Sequence, residues 1–108
     1  MELNRKPTNQ EVKLITLLLD KSGLSFPDDW YKKLLVCQIN DGEMRSLHLF
    51  PEGKIIENRS FGEQISEYQF KDSDGVDVIV SLNIDDNGEL FELDIWKTNF
   101  EKLIQLPD

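Results

Sequence analysis

One cysteine, one histidine and no apolar run longer than that from Leu14 to Leu19 narrow the possibilities for this chain. A single thiol, Cys37, excludes an internal disulfide and a cysteine-rich metal site, and it fits a reducing, cytoplasmic setting. His48 stands alone, so a histidine-centred catalytic triad has few partners to draw on. The opening MELNRKPTNQEVK has no apolar signal-peptide core, and the Leu14 run is far short of the ~20 residues that span a bilayer. Also missing are GxGxxG, GKS or GKT, and CxxC, which removes the usual marks of dinucleotide binding, phosphate cradling and thiol redox chemistry. No cofactor and no metal are expected, and neither is an enzyme. The expectation is a small soluble domain working in the compartment where it is made.

What is present is material for one core and an uneven charge. At 108 residues and 39% hydrophobic, residues 1–108 read as a single domain. The net charge is −9, and it divides sharply. Residues 1–54 hold eight Lys or Arg against eight Asp or Glu, whereas residues 55–108 hold four against thirteen. The whole imbalance therefore belongs to the second half. An acid-rich surface repels phosphates, which disfavours direct nucleic-acid binding, and it attracts basic proteins. The plainer reading is that the acidity only keeps the chain soluble.

Thr8-Asn9-Gln10-Glu11 has the form of a capping box, and Val12, Leu14, Ile15, Leu18 and Leu19 follow at helical spacing. With Gly23 as C-terminal cap, a helix is expected over residues 9–22. Residues 29–33 are expected to form a short turn before the sheet. Residues 34–40 (LLVCQIN) read as a strand with Leu35, Cys37 and Ile39 inward. Asp41-Gly42 turns it into residues 44–50, with Leu47 and Leu49 inward. Pro51-Glu52-Gly53 turns again, and residues 54–63 read as an irregular excursion. Residues 64–71, 76–84 and 89–96 then form three strands around Asp72-Ser73-Asp74-Gly75 and Asp86-Asn87-Gly88. One N-terminal helix packed on a mostly antiparallel meander of about five strands is an α+β fold.

The stretch from Asp77 to Lys97, DVIVSLNIDDNGELFELDIWK, carries six acidic side chains and one lysine. Alternation puts Val78, Val80, Leu82 and Ile84 inward with Phe91, Leu93 and Ile95. It leaves Asp77, Ile79, Ser81 and Asn83 outward, with Leu90, Glu92, Asp94 and Trp96 on the partner strand. Glu92 and Asp94 then share a face about 7 Å apart. A tryptophan rimmed by charge is the anatomy of a binding patch. The competing expectation is that residues 100–106 fold back over Trp96 and Leu90 and make that face a second small core.

Other chemistry reads weakly. His48 falls on the outward side of its strand as a half-exposed residue, and Cys37 on the inward side as an inert thiol. Asp72-Ser73-Asp74-Gly75 and Asp85-Asp86-Asn87-Gly88-Glu89 contain pieces of a calcium loop. They lack the alternating ligands and the glutamate six residues past the glycine, and they read as hairpin turns. Glu92 and Asp94 as a glycosidase pair would need a deep cleft that a short meander rarely provides.

The run RSFGEQISEYQFKDSDGVDVIVSLNIDDNGELFELDIWKTNFEKLIQLP resembles a family of small bacterial domains. Their pattern is a charged lead into FG, a DG turn, a V-x-V-x-L-N strand, a GELFELDIWK-type motif and a Pro-containing tail. Phe61, Gly62, Gly75, Leu82, Asn83, Gly88, Glu92, Asp94, Trp96 and Lys97 carry the match. Such domains are similar to immunity proteins of contact-dependent growth-inhibition and polymorphic-toxin systems, which bind and block a toxic domain, often a nuclease. The resemblance implies a cytoplasmic, monomeric inhibitor of a basic toxin. Charge adds the expected contact residues: Asp77, Asp85, Asp86, Glu89, Glu92 and Asp94, with Trp96 and Tyr68 as apolar anchors. A small acidic adaptor domain with no toxin partner is the alternative expectation.

Overall fold

In the computed structural model, which describes residues 4–39, 43–53 and 58–107, the chain begins with the expected capping box. The Thr8 hydroxyl accepts from the Glu11 amide at 3.2 Å, and the Glu11 carboxylate accepts from the Thr8 amide at 2.8 Å. Helix α1 spans Asn9–Ser22 and ends at Gly23, whose left-handed φ of 72° suits a residue without Cβ. Arg5 grips the same Glu11 carboxylate with both terminal nitrogens, at 2.7 and 2.9 Å.

Five strands follow among the described residues: β1 (Leu35–Gln38), β2 (Leu47–Phe50), β3 (Phe61–Lys71), β4 (Asp77–Asp85) and β5 (Leu90–Lys97). They form one antiparallel sheet in the order β1-β2-β5-β4-β3, so β1 and β3 are the edges. The architecture is α+β, one helix on a five-stranded sheet. Leu14, Ile15, Leu18 and Leu19 bury the helical stripe against Val78, Val80, Leu82, Leu93 and Ile95. Full burial of each such side chain stabilises the fold by roughly 1.5–3 kcal/mol. The helix lies over β3 and β4.

Four expectations change. Leu34 and Val36, not Leu35 and Cys37, are the buried pair around β1, because Val36 pairs with the fully buried Leu49. LLVCQIN is apolar on both alternations, and a slip of one residue exchanges the faces. Cys37 therefore lies on the outer face, half-buried. Leu90, expected outward, is buried. Asn83 pairs with Glu92 and Ile84 with Leu90, so Phe91 is the extra residue of a bulge that turns Leu90 inward and leaves Phe91 itself half-buried. The third strand starts at Phe61, three residues earlier than expected. Gly62 is required there, since a Cβ would run into the Asp85 carbonyl.

The tail is the fourth change. It does not roof Trp96 and Leu90. Leu103 and Leu106 join the main core instead, at 4% and 5% exposure. The tail is held by Asp72, whose carboxylate accepts from the amides of Ser73, Ile104 and Gln105 and from Lys97 Nζ. Lys97 also meets Asp74 at 2.7 Å and is itself 1% exposed. The expected Asp41-Gly42 turn lies outside the described residues, as does the part of the 54–63 excursion from 54 to 57.

Candidate functional site

Cross-strand partners in an antiparallel sheet share a face, so the register assembles the outer face row by row. Cys37 pairs with His48, His48 with Glu92, Glu92 with Asn83 and Asn83 with Gln64. That polar row crosses all five strands. The next row holds Asp94, Ser81 and Glu67, and the one beyond it Trp96, Ile79 and Gln69.

Glu92 is the pivot of the first row. Its carboxylate lies 3.4 Å from His48 Nδ1. Burial pushes its pKa up and the neighbouring Asp94 charge pushes it further. His48 and Arg59 pull back only in part, so the net shift is upward. Asp94 accepts from Asn83 Nδ2 at 2.8 Å, and Asn83 is buried with its Oδ1 unpartnered among the described residues. At the far end Trp96 is 43% exposed, and Phe100, 74% exposed, leans against it with ring centroids 5.8 Å apart. Two neighbouring aromatics with that much free surface form an apolar anchor beside two carboxylates.

The other expected contact residues are dispersed. Asp85 is structural: its side chain is 3% exposed and accepts from Arg59 Nε at 2.9 Å and from the amides of Asn87 and Glu89. Burial pushes its pKa up, but those amides and the guanidinium outweigh it, and the net shift is downward. Asp77 is paired across the strands with Lys71 at 2.8 Å, which lowers its pKa. Asp86 and Glu89 are exposed in the turn before Leu90, about 20 Å of strand away from Trp96. Tyr68 pairs with Val80 on the helix side, with Lys21 Nζ 5.9 Å above its ring, so it does not join Trp96. The expected field thus contracts to Glu92 and Asp94 next to Trp96, with Glu67 and Phe100 at the margin.

Sequence reasoning missed one residue that sets this geometry. Arg59 donates to the Leu49 carbonyl at 2.7 Å and to the Leu90 carbonyl, and stacks 5.1 Å above the Phe91 ring. It ties the ends of β2, β4 and β5 and supplies a positive charge near Glu92. Its only sequence signal is its place in the charged lead before Phe61-Gly62. Phe100, the first residue of the tail expected to fold back over Trp96, does reach that ring, while Leu103 and Leu106 turn into the main core. Cys37 and His48 are cross-strand neighbours on the outer face. Among the described residues no group of three or more His, Cys, Asp and Glu stands close enough to hold a metal ion. No helix of the described residues is long and apolar enough to cross a membrane.

Compared with known proteins, residues 4–107 match the family described as a Domain of unknown function (DUF6984), and the chain belongs to that family. No curated protein and no solved structure matches it.

Proposed function

We propose that this DUF6984 member acts by stoichiometric binding, in the manner of a cytoplasmic immunity protein that occludes a cognate basic toxin domain, a nuclease by charge complementarity. The observation that carries the reading is the open sheet face on which Trp96 and Phe100 stand exposed beside Glu92 and Asp94. A nuclease cleft is basic because it holds phosphate. Carboxylates set on a rigid sheet can take the place of that phosphate, speed capture and turn nucleic acid away. Charge pairs alone lose much of their attraction to desolvation, so tight binding needs an apolar anchor at the centre. Trp96 is that anchor, and Asp77, Asp86 and Glu89 contribute at most to long-range steering. Resemblance to immunity proteins in the GELFELDIWK-type motif supports the same reading.

Co-expression with the toxic domain encoded beside it tests the proposal, scored by survival and by co-purification in a one-to-one complex. Growth arrest despite full expression of the chain would remove the immunity role. A complex with a basic protein and no rescue from a toxin would instead indicate an adaptor.

The 3.4 Å approach of His48 to Glu92 favours one second reading, general acid–base chemistry at that pair. His48→Ala separates the two. An enzyme loses its activity, whereas a binder keeps its protection.

A further inference from the structure

On the helix side of the sheet, residues 23–31 leave α1 and turn back toward β1. Between them and the last turn of the helix lies an open cavity of about 470 Å³. Leu24, Phe26, Trp30 and Tyr31 supply its apolar walls, and Asp20 and Asp28 its charge. No lysine or arginine lines it. Lys21, the basic residue of the last helical turn, is directed at the Tyr68 ring instead. The smaller cavity beyond Trp30 does contain Lys32 and Lys33, so the absence of cations is particular to the first.

Three independent features of this cavity favour a positive guest. Trp30 and Tyr31 both line it, meeting edge to face at 81° with centroids 5.7 Å apart, and ring face not engaged in that contact attracts cations. Two carboxylates, Asp20 and Asp28, line the same cavity, and both are exposed. The helix ends there as well, through Leu19 and Gly23, and the C-terminal end of a helix carries roughly half a negative charge. Leu24 and Tyr31 remain 49% and 42% exposed, which leaves apolar surface for the stem of a long side chain.

We propose that this cavity receives an arginine side chain presented by a protein or peptide partner. Arginine fits better than lysine because its planar guanidinium stacks on aromatic faces, is weakly hydrated and can bridge two carboxylates. The cavity shares no residue with the outer sheet face, so the proposal stands or falls separately from the one above.

The test is NMR titration of the isolated protein with acetyl-Gly-Arg-Gly-amide. The Trp30 indole and Tyr31 signals are expected to shift and saturate, while the Trp96 indole stays in place. The matching lysine peptide should bind more weakly. Asp20→Asn combined with Asp28→Asn should weaken arginine binding about tenfold, and Tyr31→Ala should weaken it independently. Equal shifts with acetyl-Gly-Gly-Gly-amide, unchanged affinity after the double substitution, or shifts confined to Trp96 would each overturn the proposal. Tighter binding of tetramethylammonium than of the arginine peptide would also overturn it, because the cavity would then be a small-ammonium site.

Discussion

Asp72 and Glu92 both belong to the acid-rich second half, yet the fold treats them in opposite ways. Asp72 is enclosed at the β3–β4 turn. Burial alone would raise its pKa, but the Ile104 amide, the Lys97 ammonium and the amides of Ser73 and Gln105 bring it down to about 2. Glu92 stands on the open face with one imidazole at 3.4 Å and another carboxylate close by, and its pKa is raised. Asp85 belongs with Asp72, because Arg59 and two turn amides hold its charge. Asp94 stands beside Glu92. Net charge therefore counts two populations as one. The first closes turns and fastens the tail, and the second leaves negative charge poorly compensated beside an exposed tryptophan.

The strongest way to break this division is at Asp72. Asp72→Ala leaves Lys97 buried with only Asp74 and the Lys102 carbonyl, and frees the amides of Ile104 and Gln105. A loss on the order of 3 kcal/mol is expected in urea unfolding at pH 7. The pH dependence has a definite sign. Asp72 titrates lower in the folded state than in the unfolded, so its contribution is present above the ordinary value of 3.8 and is lost as pH falls toward about 2. The wild type should lose stability across that interval and the variant should lose less. Parallel pH profiles would place Asp72 with the surface carboxylates and dissolve the comparison.

How far the sequence reveals this division depends on the residue. The helix, its caps and the period-two runs of β4 and of β5 beyond its bulge are written in side-chain spacing, and the structure follows them. The two face errors arise where spacing is ambiguous. LLVCQIN is apolar on both alternations, and the bulge at Phe91 resets the count so that Leu90 turns inward. The site is less legible still. Trp96, Glu92 and Asp94 share one face, as alternation alone requires. Whether a carboxylate is free depends on partners far along the chain, such as Arg59 for Asp85 and the tail amides for Asp72. Those pairings depend on sheet order, which local patterns do not encode.

At the outer face the largest effect is expected from the anchor. Trp96→Ala should weaken a complex with the basic partner by about 2 kcal/mol, read as faster dissociation by surface plasmon resonance, with folding stability nearly unchanged. Steering comes next. Glu92→Lys with Asp94→Lys should slow association about tenfold at low salt and flatten its dependence on ionic strength. The same two changes at Asp77 and Asp86 should do much less, since Asp77 is already paired and Asp86 lies far along the strand. Equal effects from both pairs would restore a diffuse acidic surface in place of a focused site.

The smallest effect is the sharpest discriminator, because it runs against the usual direction of mutation. A carboxyl whose folded pKa lies above its ordinary value binds its proton more tightly in the native state than in the unfolded one. Ionised Glu92 therefore costs the fold stability at neutral pH, and the cost fades as pH falls through its raised folded value toward the ordinary 4.5. Glu92→Gln removes that cost while keeping nearly the same shape. At pH 7 it should raise stability by less than about 1 kcal/mol, since the side chain is 22% exposed and solvent screens part of the repulsion from Asp94. The two melting curves should converge as pH falls below the ordinary value of 4.5. A variant that is more stable and binds its partner less well would show that the sheet keeps this charge for contact and not for packing. A variant that loses stability at pH 7 would place Glu92 with Asp72, as one more carboxylate the fold depends on.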